Sequence, residues 1–589
     1  MTHHDGVPEG GRAGVGHDVG MSDVQTPRLL ADRYVAGLIA LNPILATSLG
    51  LPEGADDLPD LSPAGAGATA DLQRRTLAEL AEVVADAGGP AALDDTERRC
   101  AKLLGERLDA SLALYEAGES LRALDTLFSP LHNVRSVFLL MPSSTEADWA
   151  TIATRISRVP QAVAGYRASL EAGLDAHLTA GPTQVDAVVT QLGTWLAGEA
   201  GTPWFAEFAG RGPDPLRDRL DRAAAEASAA VGEFRDWLAG TYAPAAAGTP
   251  DAVGEQRYAR WARYWTGSNL DLADAYAYGW SEYARLDAEL RAQAEVVLPG
   301  AGARHAMEHL NARGPAIEGV DAVIAHLQSL MDGAIEALDG VHFELAEPLR
   351  RVEAMVAPGG SAAAPYYTRP SLDFARPGRT WLPVLGRTRF PMWDLVSTWY
   401  HEGVPGHHLQ LAQWVYMAPQ LSRYQTSVGS VGANLEGWAL YAERLMDELG
   451  FLSDPGARLG YLDAQQLRAV RVIIDIGMHL ELPIPAQQGG PEPFHPGERW
   501  TPGLAREFLG LNSGRPEAFL DSELVRYLGG PGQAISYKLG ERAWLAGRDA
   551  ARAAHAARGE VFDPKSWHMA ALSQGSLGLD DLLDELGRL

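Results

Sequence analysis

The chain has 589 residues, of which 46% are hydrophobic and 21% are charged. This apolar content is typical of a globular protein with a large core, and it excludes a disordered chain, a collagen-like fibre and a small disulfide-rich scaffold. Asp and Glu total 76 against 49 Lys and Arg, so the formal net charge is −27. Because an acidic surface repels phosphate groups, we expect neither nucleic acid nor a membrane as a partner.

The segment 1–27 is polar and rich in glycine, and we expect a disordered leader there. It lacks the basic and apolar regions of a secretory signal peptide. No stretch of the sequence reaches the ~20 apolar residues that a transmembrane helix needs. The single cysteine, Cys100, excludes an intrachain disulfide and fits a reducing compartment. We therefore expect a soluble, cytoplasmic protein.

From Arg28 onward, apolar residues recur at spacings of three and four, which predicts amphipathic helices separated by Gly-Pro breaks. Strand-like sequence is scarce and falls within 343–390, where aromatic and β-branched residues stand between Pro and Gly. The expected fold is mainly α, with two helical lobes and one small β-sheet. The predicted helices cover 28–50, 71–88, 97–118, 148–177, 218–247, 268–297, 319–343 and most of the chain after Met392, apart from a Gly/Pro-rich insert at 483–503.

The segment WYHEGVPGHHLQ concentrates three histidines and a glutamate within eight residues, although the whole chain has only 16 histidines. Neutral imidazoles bind Zn²⁺, and an adjacent glutamate such as Glu402 can take a proton from metal-bound water. The familiar zinc motif is H-E-x-x-H on a helix, which places both histidines on one face. Here the fourth residue after His401 is Pro405, and His407 and His408 follow at six and seven residues.

The glycines and the proline between the histidines oppose an unbroken helix, because proline removes a backbone donor and clashes with the preceding turn. A bulge that loops out the Gly-Val-Pro stretch would bring His407 to the place of the second ligand. We therefore favour His401 and His407 as metal ligands, with His408 as the alternative to His407.

A catalytic zinc site of this kind needs a third protein ligand and an open position for water. The segment LEGWALYAERL reads as an amphipathic helix and offers Glu436, which lies 29 residues after His407. Glu443 is two helical turns further on and shares roughly the same face. One carboxylate could bind the metal while the other holds a ligand histidine through a hydrogen bond.

Three further groups of residues are candidates for substrate binding. In LRAVRVIIDIGMHL, the residues Arg471 and His479 belong to a polar stripe amid apolar residues, which suggests polar groups that face a cleft. Arg471 could bind a substrate carboxylate or pair internally with Asp475, and both interpretations stay open. In GGPGQAISYKLG, a Gly/Pro loop opens a helix on which Gln533 and Tyr537 share a face.

The third group is the pair Tyr366 and Tyr367, which precedes Thr368-Arg369-Pro370. We expect these tyrosines in an edge strand on the substrate side of the site. Such an edge can pair with an extended peptide through its backbone groups.

The segments HEGVPGHHLQ, EGWALYAERL, RVIIDIGMH and PGQAISYKLG resemble those of the bacterial DUF885 family, which is similar to zinc metallopeptidases of the gluzincin type. The resemblance covers most of the chain and is most specific over about 366–576, with the motif H-E-x-x-P-G-H. It implies a helical metallopeptidase-like fold with a long central cleft. The implied ligands of one Zn²⁺, or of another divalent transition metal, are His401, His407 and Glu436.

The resemblance also implies roles for the residues around the metal. Glu402 would be the catalytic base, and Tyr537 would donate a hydrogen bond to the oxyanion that forms during attack. Apart from the resemblance, we expect Glu443 and His408 to support the ligands through hydrogen bonds.

The sequence thus predicts a metal-dependent hydrolase, namely a peptidase that cleaves small peptides or peptide-like amides. The alternatives are a metal-dependent amidase of a non-peptide metabolite and a non-catalytic binding protein that retains the fold. We expect 341–589 to carry the metal site and 28–340 to form the opposite cleft wall, the two being integrated as one DUF885-like domain. The sequence does not predict an oligomeric state.

Overall fold

The computed structural model describes residues 25–198, 201–357, 364–488 and 493–589. The predicted leader falls outside these ranges, apart from its last three residues. In those, the hydroxyl of Thr26 accepts a hydrogen bond from the Leu29 N–H and caps the first helix, which begins at Pro27. A side-chain oxygen at this position satisfies one of the free N–H groups of a helix start.

Helices dominate the described chain, which confirms the predicted mainly α fold. Many of them begin with proline in the first turn, where its missing N–H group costs nothing. The helices of the first part are α1 (Pro27–Leu41), α2 (Pro43–Ser48), α3 (Pro63–Asp86), α4 (Asp95–Glu116), α5 (Pro130–Ser136), α6 (Glu146–Ser157), α7 (Val159–Asp175), α8 (Pro182–Ala197), α9 (Trp204–Ala209), α10 (Arg217–Trp237), α11 (Ala243–Ala246), α12 (Glu255–Thr266), α13 (Leu272–Val297), α14 (Ala303–Arg313) and α15 (Val320–Leu338).

The remaining helices follow the strands and carry the candidate site. They are α16 (Leu395–Glu402), α17 (His407–Tyr416), α18 (Arg423–Thr426), α19 (Gly432–Glu448), α20 (Pro455–Leu480), α21 (Pro502–Leu511), α22 (Glu517–Gly529), α23 (Ser536–Arg558), α24 (Pro564–Leu572) and α25 (Leu579–Arg588). None of the helices in the described ranges is both long enough and apolar enough to cross a bilayer.

Two predicted helices are each divided in the structure. The segment predicted as 28–50 forms α1 and α2, because Asn42 leaves the helical conformation before Pro43 starts a new turn. The segment predicted as 148–177 forms α6 and α7, with Arg158 between them. In both places a proline restarts the helix.

The described strands form two small sheets. The larger contains β2 (Val352–Val356), β4 (Gly378–Leu382) and β3 (Tyr366–Thr368), with β4 in the centre, parallel to β2 and antiparallel to β3. The smaller pairs β1 (Ala316–Glu318) with β5 (Arg389–Pro391) in antiparallel register. The larger sheet confirms the predicted small sheet within 343–390. The smaller sheet is an addition to the prediction, and its strand β1 lies outside that segment because a strand of three residues is too short to show an alternating pattern.

The buried apolar side chains form two clusters. One is built from Ile44 and from side chains between 124 and 246, which belong mainly to α5–α11. The other joins α1 and α4 to the C-terminal helices, and within it α13 packs along α20. The clusters do not divide the chain at 340, because the second one contains residues from both sides of that position. The division of the chain at 340 stays a prediction.

Candidate metal centre

The two histidines of the motif come from consecutive helices joined by a tight loop. Helix α16 ends at Glu402 and α17 begins at His407, so 403–406 stand outside both helices. The Gly406 N–H donates to the carbonyl of Tyr400 at 3.0 Å. In an unbroken helix the residue at 404 would make this bond, because each N–H reaches four residues back. Two residues are thus looped out, and His407 takes the place of the second histidine in H-E-x-x-H.

The loop requires its glycines. A Cβ atom on Gly406 would lie 2.0 Å from the carbonyl oxygen of His401. One on Gly403 would lie 2.8 Å from the carbonyl oxygen of Trp399 and 2.9 Å from Sδ of Met331. All three distances are shorter than a Cβ atom tolerates, so the bulge depends on residues that lack this atom.

Glu436 approaches both histidines from α19. Its Oε2 atom lies 3.4 Å from Nε2 of His401 and 3.6 Å from Nε2 of His407. Helix α19 is held close to α23 at a glycine contact, where a Cβ atom on Gly437 would lie 2.3 Å from the carbonyl carbon of Gly540. This close crossing brings the carboxylate of Glu436 and the first turn of α23 to the same side of the site.

The geometry of these three side chains fits a divalent cation. In a tetrahedral zinc site with bonds of about 2.0–2.1 Å, neighbouring ligand atoms lie about 3.3 Å apart. One ligand atom each from His401, His407 and Glu436 lies within 4.8 Å of the others. Oε2 of Glu436 is buried and has no hydrogen-bond partner among the described residues. A cation at this point would satisfy that oxygen.

Glu443 orients the first histidine. Its Oε1 atom lies 2.7 Å from Nδ1 of His401, and its Oε2 atom accepts a hydrogen bond from the hydroxyl of Ser397. The carboxylate is fully buried. Because Nδ1 is bonded to Glu443, the ring presents Nε2 to Glu436, which is the arrangement that metal-binding histidines commonly have.

The charges of the site act strongly on one another. Burial disfavours the imidazolium form, but Glu436 and Glu443 outweigh it and raise the pKa of His401 to about 10. Burial also opposes ionisation of Glu436, but the two histidines close to it hold the pKa of this carboxyl far below its usual range. Burial raises the pKa of Glu402. These are the properties of the metal-free site.

Glu402 is the carboxylate next to the three convergent side chains. It ends α16, is 8% exposed and makes no hydrogen bond to another described side chain. The pKa of Glu402 also responds to His401, His407 and Glu436, which lie close to it. A carboxylate with a raised pKa and no fixed partner is suited to accept and return a proton.

His408 points away from this space. Its Nδ1 atom lies 2.9 Å from the hydroxyl of Tyr367, and its Nε2 atom lies 2.8 Å from the carbonyl of Leu349. Both ring nitrogens are thus engaged, and burial lowers the pKa of the ring to about 4. The alternative with His408 in place of His407 is not supported, and neither is a contact from His408 to a ligand residue. His408 instead joins α17 to the sheet.

Tyr537 lies in the first turn of α23, close enough to Glu436 for that carboxylate to help raise its pKa, although burial is the larger cause. Its hydroxyl has no hydrogen-bond partner within the described ranges. The guanidinium carbon of Arg471 lies 4.8 Å from the centre of its ring, and that of Arg468 lies 6.0 Å away. The structure therefore brings Tyr537 together with the metal-site residues.

Arg471 does not pair with Asp475. Its Nη2 atom donates to Glu523 at 2.6 Å, and its Nε atom donates to the hydroxyl of Tyr527 at 2.9 Å. Asp475 instead accepts hydrogen bonds from Tyr258 at 2.7 Å and from the N–H of Gly532 at 2.9 Å. It thereby anchors the glycine-rich loop that leads into α23.

His479 lies on a fully buried side of α20. It is completely buried, and its ring lies 3.1 Å from the carbonyl of Tyr527 and 3.4 Å from the N–H of Val253. The interpretation of His479 as a substrate contact is therefore corrected to a packing role. Gln533 precedes α23 instead of lying on it, and its side-chain oxygen accepts a hydrogen bond from Arg526.

The tyrosine pair lies on the edge strand β3, as expected. Tyr366 stacks on Trp381, with ring centres 5.9 Å apart. Tyr367 is directed inward, where burial raises the pKa of its hydroxyl beside His408. Because the side chain of Tyr367 is directed inward, β3 could contact a substrate through its backbone groups and not through this tyrosine.

Sequence reasoning missed Glu523, Arg526 and Ser397. Glu523 and Arg526 are three residues apart on α22 and form a two-pronged ion pair beside Arg471. Their spacing is a visible signal, but it is common on solvated helix faces. Ser397 stands four residues before His401 on α16, a spacing that places both on one face.

Comparison with solved structures shows the fold. A structure named a putative lipoprotein from Colwellia psychrerythraea has a TM-score of 0.79 and 20% identity, covering 95% of this chain and 98% of that one. A putative lipoprotein of unknown function from Shewanella oneidensis has a TM-score of 0.70 and 17% identity, covering 95% and 100%. No curated protein matches the chain in sequence.

A family profile described as bacterial protein of unknown function (DUF885) matches residues 43–586, which is nearly the whole chain. This match agrees with the resemblance of the histidine, glutamate and tyrosine segments that build the site. The chain therefore belongs to the DUF885 family.

Proposed function

We propose that the protein is a metal-dependent hydrolase of the peptidase type, which cleaves small peptides or peptide-like amides. The observation that carries this proposal is the convergence of His401 Nε2, His407 Nε2 and Glu436 Oε2 beside the carboxylate of Glu402. Two histidines and one carboxylate with an adjacent glutamate are the donor set of many zinc hydrolases. Zn²⁺ suits these ligands, and Mn²⁺, Co²⁺ or Fe²⁺ are alternatives.

The residues have separate tasks in this proposal. When bound, Zn²⁺ supplies a Lewis acid that polarises a carbonyl group and lowers the pKa of water. The carboxylate of Glu402 accepts the proton of the attacking water and returns it to the leaving nitrogen. The hydroxyl of Tyr537 donates a hydrogen bond to the oxygen that becomes negative during attack. Glu443 keeps His401 in the required orientation.

Digestion of a peptide library by the zinc-loaded protein, read by mass spectrometry, tests the activity. We expect cleavage by the wild type and at least a 100-fold loss in Glu402→Gln, because general-base catalysis contributes about 10²–10⁴-fold. The variant should retain its metal, since Glu402 is not a ligand. Glu448→Gln is a matched control, because Glu448 lies on the exposed end of α19. Full turnover in Glu402→Gln would remove that residue from the mechanism.

Two alternatives predict different results in the same assay. An amidase of a non-peptide metabolite would bind metal but leave the peptide library intact while hydrolysing simple amides. A binding protein that retains the fold would hydrolyse neither set. We favour the peptidase because β3 presents a free edge within the described sheet, to which an extended peptide could pair.

We also propose that the protein works in the cytoplasm on a small substrate, without nucleic acid or membrane partners. The net charge of −27 supports the absence of phosphate-rich partners. The two solved structures of similar fold carry the name putative lipoprotein. Cell fractionation decides the point: we expect the protein in the soluble fraction, and recovery with membranes would contradict this location.

A further inference from the structure

Two arginines beside Tyr537 carry positive charge in a buried position. Arg468 and Arg471 lie one turn apart on α20, and both guanidinium groups face the Tyr537 ring. Their side chains are only 12% and 8% exposed. Burial of a charge costs free energy unless a counter-charge lies close by. Whether the positive charges of Arg468 and Arg471 are neutralised therefore depends on the carboxylates close to them.

Glu523 can neutralise only one of the two guanidinium groups that it contacts. Arg526 binds it through two parallel hydrogen bonds, from Nε at 3.0 Å and from Nη2 at 2.9 Å. Arg471 shares the same carboxylate through its Nη2 atom. The single negative charge of Glu523 is thus shared by the two positive charges of Arg471 and Arg526, so the three side chains together carry a net charge of about +1. Nη1 of Arg471 makes no hydrogen bond to any residue of the described ranges.

The guanidinium group of Arg468 also makes few contacts with charged groups. Its Nη1 atom donates to the carbonyl of Ala464, which carries no charge, and its Nε atom is buried with no partner among the described residues. The carboxylate of Glu443 lies 3.9 Å from its Nη2 atom. That carboxylate is already engaged at 2.7 Å by His401 and by the hydroxyl of Ser397. Arg468 therefore shares its nearest carboxylate, that of Glu443, with His401.

We propose that Arg468 and Arg471 form an anion subsite that binds a carboxylate of the substrate next to the scissile amide. This inference rests on the proposed function and specifies its substrate class as amides that carry a free carboxylate. The subsite adjoins the candidate metal site through Arg468, whose Nη2 atom lies 3.9 Å from the Glu443 carboxylate that contacts His401, and the ring of Tyr537 faces both arginines. The chain as a whole has a net charge of −27, so a local surplus of positive charge would attract an anionic group to this place and not to the rest of the surface.

The carboxylate could be the α-carboxylate of a C-terminal residue or the side chain of Asp or Glu. Three matched probe sets separate these sources: N-acetyl dipeptides with a free C-terminus, the same dipeptides as carboxamides, and carboxamides with Asp or Glu at the last position. We would measure retention of each set by the zinc-loaded Glu402→Gln protein, by mass spectrometry after gel filtration. The wild-type protein would then be assayed for kcat/KM on the same sets.

We expect one carboxylate set to bind about 10- to 100-fold more tightly than the neutral carboxamides, because hydrogen bonds to charged groups contribute about 1.5–3 kcal/mol. Arg468→Gln and Arg471→Gln should each reduce this preference and raise KM more than they lower kcat. Arg458→Gln is the control on the same helix, where Arg458 forms a half-exposed pair with Asp447. It should keep the preference of the wild type.

Equal retention of carboxylate and carboxamide probes, or retention of neither, would overturn the anion subsite. A preference that survives in both Arg468→Gln and Arg471→Gln would overturn it as well. These results differ from a failure of the proposed function, in which the carboxylate probes are retained but the wild type hydrolyses no set. Binding and hydrolysis therefore report on the two proposals separately.

Discussion

Nδ1 of His401 lies 2.7 Å from Oε1 of Glu443, while Nε2 of the same ring lies 3.4 Å from Oε2 of Glu436. The two carboxylates come from one helix, α19, two turns apart. One ring is thus held between a buried carboxylate that orients it and a second carboxylate that can share a metal with it. These two contacts therefore assign different roles to the two carboxylates: Glu443 orients the ring of His401, and Glu436 is the candidate metal ligand.

The first prediction concerns Glu443. Replacement by Gln should lower the affinity for Zn²⁺ about 10- to 100-fold, because loss of such a supporting carboxylate weakens the ligand that it orients. Titration with zinc in the presence of a competing chelator measures the effect. Glu448→Gln, on the exposed end of the same helix, should bind zinc as the wild type does. Unchanged affinity in Glu443→Gln would show that the contact does not support metal binding.

Metal binding should release a proton. In the metal-free protein, Glu436 and Glu443 outweigh burial and raise the pKa of His401 to about 10, so its ring is charged at neutral pH. A metal ion requires the neutral ring. We expect release of about one proton per ion at pH 7 and an affinity that rises about tenfold per pH unit from 6 to 8. Calorimetry in buffers of different ionisation enthalpy measures this number. A binding enthalpy independent of the buffer would contradict it.

The third prediction concerns Gly406, which lies in the bulge between the two histidines. In Gly406→Ala the new Cβ would meet the carbonyl oxygen of His401, so the loop must move. We expect the free energy of unfolding to fall by about 1–3 kcal/mol and zinc affinity to fall with it. Gly333→Ala is the control, since a Cβ on this exposed glycine of α15 meets nothing within 4 Å. It should leave stability equal or raise it by up to about 1 kcal/mol. Equal behaviour of both variants would argue against the bulge.

Asp475 should make stability depend on pH. Burial, only partly offset by hydrogen bonds from Tyr258 and Gly532, raises the pKa of this carboxyl to about 7 in the folded protein, against an ordinary value of 3.8. The folded state therefore binds more protons, so this contribution is complete below about pH 4 and is lost as pH rises to 7. The loss amounts to at most about 4 kcal/mol. Denaturant unfolding of wild type and Asp475→Asn at pH 5 and pH 7.5 tests the sign. An equal pH dependence in both proteins would count against it.

The sequence was sufficient to predict that His401 and His407 lie side by side, because the signals for this arrangement are local. Gly403, Pro405 and Gly406 cannot continue a helix, so the bulge that brings His407 beside His401 follows from backbone chemistry alone. The mainly α fold and the small sheet likewise followed from hydrophobic spacing. The third ligand candidate, Glu436, lies on another helix, α19, which it shares with Glu443. The sequence favoured Glu436 over Glu443 as the ligand, and the resemblance to the family implied the same assignment.

The surroundings of α20 could not be predicted in the same way. Nearly every residue of this helix is buried, so a polar stripe does not tell a cleft from a packed interface. Arg471 pairs with Glu523, which lies 52 residues further along the chain. The ring of His479 contacts the carbonyl of Tyr527 in α22 and the N–H of Val253. Such partners depend on how helices pack, and helical spacing contains no information about them.

The central claim is that His401, His407 and Glu436 hold one metal ion. Its most direct test is the metal content of protein purified without chelators, measured for the wild type and for His401→Ala, His407→Ala and His408→Ala. We predict one divalent ion per chain in the wild type, its loss in the first two variants and its retention in His408→Ala, because both nitrogens of His408 are bonded elsewhere. A wild-type protein that purifies without metal and binds none on titration would contradict the account.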